Sequence, residues 1–262
     1  MSSVSNAVVP DLLALDFDGV LCDGRAEYLE SSWQVYCEIW DASDVKLDTI
    51  APRFYELRSV IETGWEMPLL LRSLFEGISD AEILETWSSL VQQMLDKSGL
   101  TQQEMTRLLD EKRDRWIENN EQDWLAHHEF YPGVIQRLQS IFNQPSPQVY
   151  IITTKEGRFA RKLLQKHGIQ FPADYIIGKE YQQPKTETLT ALLKQDGNAS
   201  LWFVEDRLKT LLTVAQQSHL QSVRLFLADW GYNTARSRQE AKDHETIRLL
   251  SLDQFNQDFS HW

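Results

Sequence analysis

Leu12-Leu13-Ala14-Leu15-Asp16-Phe17-Asp18-Gly19 is the stretch on which the reading of this chain turns. Four consecutive apolar residues describe a strand buried on both faces, and two carboxylates then leave its end on a turn that Gly19 allows the backbone to make. A carboxylate at the lip of an apolar strand is costly without a cation or a donor beside it. Because side chains alternate along an extended backbone, Asp16 and Asp18 are expected to lean to one side, within reach of one Mg²⁺ and one substrate. An isolated Asp-x-Asp is also an ordinary acidic turn. The rest of the chain has to decide.

The chain has 262 residues, 42% hydrophobic and 25% charged, enough to bury a real core. Its formal charge is −13, from 39 acidic and 26 basic residues, which repels polyanions and argues against nucleic acid as a partner. A small phosphorylated metabolite stays compatible, since local cations and a metal override the global field at short range. Two cysteines, Cys22 and Cys37, make no disulfide framework and no zinc spacing, which suits a reducing compartment. Cys22 follows the acidic turn without a histidine nearby in sequence and reads as packing. The opening Met1-Ser2-Ser3-Val4-Ser5-Asn6 has no basic leader, and no run approaches the ~20 apolar residues of a membrane span, so no membrane and a cytoplasmic location are expected.

Apolar runs of strand length recur at Leu12 to Phe17, Val149 to Thr153, Tyr175 to Gly178, Leu201 to Val204 and Val223 to Leu227. Helical periodicity fills the gaps among the later ones, as in Phe159-Leu163-Leu164, Leu189-Leu192-Leu193 and Leu208-Leu211-Leu212. Strands that alternate with helices predict an α/β fold with a Rossmann-like parallel sheet. Arg25 to Glu129 differs: it has helical periodicity and no convincing strand, with capping boxes at Ser79/Glu82 and Thr101/Glu104. The expected organisation is an α/β core over 1–24 and 130–262 with an inserted helical domain over 25–129, closed by Tyr131-Pro132-Gly133.

Three later strand ends carry polar groups suited to phosphate. Ile151-Ile152 runs into Thr153-Thr154, whose hydroxyls and amides suit phosphate oxygens, and Lys185 opens a helix where anions bind. Trp202-Phe203-Val204 runs into Glu205-Asp206, and two acidic pairs facing one crevice repel unless a divalent cation lies between them. In open parallel sheets the carboxyl ends of strands converge on one ligand site.

The order of these motifs resembles the haloacid dehalogenase (HAD) superfamily, over about Leu12 to Asp206, with the helical insert similar to that superfamily's C1 cap. The resemblance, closest to phosphoglycolate phosphatase-like members, implies a Mg²⁺-dependent phosphatase acting on a small phosphorylated metabolite through an aspartyl-phosphate. Asp16 would be the nucleophile and Asp18 the acid and base. Mg²⁺ would be held by Asp16, the Asp18 carbonyl and Asp206, with Glu205 as ligand or through water. Thr153, Thr154 and Lys185 would bind the phosphoryl group. The chain departs from the usual pattern at Thr154, where many such relatives carry asparagine, and at Glu205, where Gly or Asp is more usual. Asp18 favours phosphoryl chemistry over dehalogenation, which has no leaving oxygen to protonate.

Within the insert, Glu62 to Pro68 breaks the helical pattern, so Trp65 and Glu66, together with Arg25, are candidates for substrate choice. Trp230-Gly231-Tyr232 follows the last main strand and could line the crevice mouth, although aromatic residues there more often pack against the sheet rim. Alternatives are a phosphomutase with the same core residues, a non-catalytic binding protein of the same fold, and a receiver domain, which would have no helical insert of this size.

Overall fold

The computed structural model describes residues 9–40, 46–195 and 199–262. The chain divides into two compact units, Met1–Asp23 with Phe130–Trp262, and Gly24–Glu129.

The first unit is a six-stranded parallel sheet: β1 (Leu12–Leu15), β2 (Gln148–Ile152), β3 (Ile176–Ile177), β4 (Leu201–Glu205), β5 (Arg224–Ala228) and β6 (Ile247–Leu250). Their order, β3-β2-β1-β4-β5-β6, is that of a Rossmann-like doubly wound sheet. In β1 and β4 every residue is buried, which is why both read as unbroken apolar runs. Alternation divides them between the two faces. Leu12, Ala14, Leu201 and Phe203 join Leu189, Leu192, Leu208 and Leu211 of the helices Lys185–Gln195 and Leu208–Ala215. On the other face Trp202 meets Phe226 and Trp262, with ring centroids 5.2 and 5.9 Å away.

Two expectations change. β1 ends at Leu15, so Asp16 and Phe17 already belong to the turn. The sixth strand was not foreseen, because Ile247-Arg248-Leu249-Leu250 is an edge strand whose exposed Arg248 breaks the apolar run.

The second unit is built mainly of helices, with α-helices Arg25–Ile39, Leu47–Leu57, Met67–Phe75, Asp80–Ser98 and Gln102–Ala126. Thr101 with Glu104 forms the full reciprocal box, whereas Ser79 caps its helix through its side-chain oxygen without the reciprocal bond of a box. The Glu82 amide donates to Ser79 Oγ at 3.3 Å, and the Thr101 amide and hydroxyl both donate to Glu104 Oε2 at 2.7 Å. The last helix breaks at Asn120, where φ is −157°. Inside this unit Glu27, fully buried, accepts from Arg113 at 2.6 and 3.0 Å. No helix among the described residues is long and apolar enough to cross a membrane.

Candidate active site

The strand order reverses between β1 and β4, and the carboxyl ends of those two neighbours present Asp16 and Glu205-Asp206. Alternation puts Asp16 in line with Ala14, and Glu205 in line with Phe203, on the face covered by the helix Lys185–Gln195. That helix therefore delivers Lys185 to both acids: its ammonium lies 2.9 Å from Asp16 Oδ1 and 2.7 Å from Glu205 Oε2. Asp206 completes the group. Carboxylate oxygens of Asp16, Glu205 and Asp206 lie within 4.8 Å of one another, and all three residues are buried.

Such crowding has electrostatic consequences. Burial pushes the Asp16 carboxyl up to about 7, and the neighbouring Glu205 charge adds to the rise against the pull of Lys185. Burial raises Glu205 and Asp206 as well, the latter also through the Asp16 charge. Burial works against the Lys185 ammonium, but the charges of Asp16 and Glu205 outweigh it and hold the group above the ordinary lysine value. Three carboxylates against one ammonium leave an excess of negative charge in a low-dielectric pocket. Hard oxygen donors in that number suit Mg²⁺.

The turn after β1 is tightly organised. The Asp16 amide donates to the Val204 carbonyl at 3.0 Å, tying the turn to β4, and Asp16 Oδ1 accepts from the Phe17 amide at 2.7 Å. The Leu21 and Cys22 amides both donate to the Phe17 carbonyl. Gly19 has φ +86°, and a Cβ there would stand 2.1 Å from Asp206 Oδ2. Only glycine satisfies both the turn and that approach. Gly231 is held similarly, its Cβ position falling 2.3 Å from Asp206 Cβ.

The loop after β5 matters more to this pocket than its sequence implied. The Tyr232 amide donates to Asp206 Oδ2 at 2.7 Å, its hydroxyl donates to Asp23 Oδ1 at 3.1 Å, and the Trp230 indole donates to the Val20 carbonyl at 3.1 Å. Asn233 Nδ2 donates to the Asp206 carbonyl at 3.0 Å. Nothing in the sequence marked Asn233, because a lone asparagine after a strand is an ordinary turn residue.

Asp18 departs from its expected placement. Its carboxylate stands outside the three-acid group and pairs with Lys155 Nζ, at 3.1 and 3.2 Å from its two oxygens. The alternation argument failed because the strand stops at Leu15, and a turn with a positive-φ glycine does not alternate. Asp16 is buried, whereas the Asp18 side chain keeps 14% of its exposure. Lys155 escaped the sequence reading, since a lysine in a loop is usually solvated; its one signal is its place directly after Thr153-Thr154.

Thr153 is buried at the end of β2, where its amide donates to the Ile177 carbonyl and its hydroxyl accepts from the Lys155 amide at 3.1 Å. Its backbone amide is thus engaged within the sheet rather than offered to an anion. Thr154 is exposed. Cys22 is buried, and burial pushes its thiol well above the ordinary value, in keeping with packing.

The insert's candidates sit in their own unit. The segment read as a pattern break is a 3₁₀ turn, Gly64–Glu66, leading straight into the helix Met67–Phe75. Buried Glu66 is committed internally: it accepts from the Trp87 indole at 2.8 Å, the Glu62 amide at 3.1 Å, the Thr63 amide at 3.3 Å and the Thr63 hydroxyl at 3.1 Å. Trp65 is half-buried. The Arg25 guanidinium lies 5.6 Å from the centre of the Tyr55 ring.

Comparison with solved structures finds the same fold elsewhere. A provisionally assigned phosphoglycolate phosphatase from Lactobacillus delbrueckii subsp. bulgaricus is 14% identical, with TM-score 0.60 over 93% of this chain and 95% of that one. A provisionally assigned phosphatase from Clostridium difficile is 13% identical, with TM-score 0.60 over 94% and 96% of the two chains. Protein Tyrosine Kinase A of Mycobacterium tuberculosis is 16% identical, with TM-score 0.54 over 94% and 95%. At such identities the likeness speaks for the fold, and the kinase shows why activity does not follow from it. No curated protein sequence matches the chain. The sequence model of the haloacid dehalogenase-like hydrolases matches residues 69–223, beginning beyond the Asp16 turn, whose part in the site rests on geometry. As that match takes in more than half of the sequence, the chain belongs to the haloacid dehalogenase-like hydrolase family.

Proposed function

We propose that this hydrolase is a Mg²⁺-dependent phosphatase that removes the phosphoryl group from a small phosphorylated metabolite through an aspartyl-phosphate on Asp16. The observation that carries this reading is Lys185, whose ammonium bridges Asp16 and Glu205 at 2.9 and 2.7 Å beside Asp206, at the reversal point of the sheet. A nucleophile, a fixed cation and spare carboxylates within one small volume are what in-line phosphoryl transfer requires.

Asp16, Glu205 and Asp206 fit a divalent ion, since their oxygens crowd together with more negative charge than Lys185 neutralises. When bound, Mg²⁺ supplies positive charge to the transferring phosphoryl group and keeps Asp16 ionised. Asp16 Oδ1 is engaged by Lys185 and the Phe17 amide, which leaves Oδ2 to attack phosphorus. As the new O–P bond forms, the bond to the leaving oxygen breaks, and the Asp18 carboxyl passes its proton to that oxygen. Asp18 then takes a proton from the water that attacks the aspartyl-phosphate, which frees phosphate and restores Asp16. Lys185 offsets charge on the phosphoryl oxygens throughout, and Thr153 and Thr154 stand at the same end of the neighbouring strand.

The purified chain should release inorganic phosphate from small phosphomonoesters in Mg²⁺ and cease in EDTA. Asp16→Asn should lower kcat by roughly a thousandfold or more. Unchanged phosphate release by that variant would remove Asp16 as nucleophile and the reading with it.

A further inference from the structure

The acidic pocket already has its cation in Lys185, and a second lysine, Lys155, pairs with Asp18. Lys155 Nζ lies almost equidistant from the two Asp18 oxygens, 3.1 and 3.2 Å, and the two side chains keep only 7% and 14% of their exposure. The backbone of Lys155 is held on both sides: its amide donates to Thr153 Oγ1 at 3.1 Å, and its carbonyl accepts from the Lys179 amide at 3.0 Å. Asp18 sits in a turn beyond the end of β1, one residue before a glycine at φ +86°, with a single bridge to Cys22. A nearly symmetric ion pair from a lysine with an anchored backbone restrains its side chain.

We propose that Lys155 is the positioning residue for Asp18, holding its carboxyl group in the one orientation that serves both proton transfers. The proposal deepens the phosphatase reading and rests on it. In the first transfer the Asp18 proton goes to the leaving oxygen as its bond to phosphorus breaks; in the second, Asp18 takes a proton from the attacking water. Both use the same carboxyl group in nearly the same place, so a wandering side chain slows both halves of the cycle. The lysines thus divide the work, Lys185 serving Asp16 and Glu205, and Lys155 serving Asp18.

The test uses the full chain with Mg²⁺ and glycerol phosphate, an alkyl ester whose leaving oxygen needs a proton. Lys155→Met should lower kcat about 10- to 100-fold with KM changed less than about threefold, and Lys155→Arg should recover most of the loss. Added to Asp18→Ala, Lys155→Met should cost nothing more, because it acts through Asp18. A wild-type kcat in Lys155→Met, a rise in KM with kcat intact, or a further tenfold loss on Asp18→Ala each overturns the proposal. A crystal structure of Lys155→Met gives an answer independent of turnover: Asp18 should leave its present orientation, and an unmoved Asp18 overturns the positioning role. If the wild-type chain hydrolyses no phosphoester, the phosphatase reading fails by itself, and that structure still decides whether Lys155 positions Asp18.

Discussion

Asp16 pays for its position in its own protonation. A carboxyl that titrates at about 7 when folded, against an ordinary 3.8, binds more protons in the folded chain between those values. Its contribution to stability is therefore complete below pH 4 and is lost as pH rises to 7 in the metal-free protein. Asp16→Asn stays neutral, so in EDTA its stability relative to the wild type should increase from pH 4 to pH 7. Chemical denaturation at the two pH values checks this, and an equal gap at both would refute the buried-acid account. Lys185 shows the reverse dependence on a neighbour. Lys185→Met leaves Asp16 and Glu205 buried without their cation, and should cost about 3–5 kcal/mol in urea denaturation at neutral pH without metal, besides abolishing turnover. A loss of a few tenths would mean that the ammonium is not the pocket's counter-charge.

At the scale of the element, the pocket depends on where strands stop. β1 ends at Leu15 and β4 at Glu205, so one acid leaves the first strand while two occupy the last position of the second and the residue after it. Gly19 then lets the first turn fold back against Asp206. Gly19→Ala combines a left-handed backbone with a methyl 2.1 Å from Asp206 Oδ2. It should lose about 1–2 kcal/mol of stability from the backbone alone, and it should weaken Mg²⁺ binding because Asp206 has to move. Isothermal titration with Mg²⁺ in the absence of substrate reads the second effect directly; wild-type affinity would show that Asp206 is not a ligand. The helix starts in the insert belong to this scale too. Thr101 with Glu104 was legible because a capping box is a local arrangement that needs only three residues of spacing.

For the whole molecule, two compact units imply that a ligand of the α/β core need not stabilise the helical insert directly. Hydrogen exchange followed by mass spectrometry should show Mg²⁺ increasing protection in peptides covering 12–23 and 201–206, with peptides of Asp80–Ser98 and Gln102–Ala126 unchanged. Protection confined to the helices would place the ion elsewhere. Among the described residues, one end of the sheet is acidic and buried in this way, and a parallel sheet makes it so by pointing all six strands in one direction.

The sequence by itself determined the fold class, the parallel sheet with its helical insert, and the set of acids and the lysine that meet at the strand ends. These were readable because apolar runs, periodicity and capping are local patterns set by burial and backbone geometry. Only the tertiary structure decided which groups pair. Lys155 on Asp18, Tyr232 and Asn233 on Asp206, and the exclusion of the Asp18 carboxylate from the acidic cluster are contacts between residues 26 to 137 positions apart. No periodicity encodes such distances; they follow from the stacking order β3-β2-β1-β4-β5-β6 and from a turn that, once past Leu15, no longer obeys the alternation of a strand.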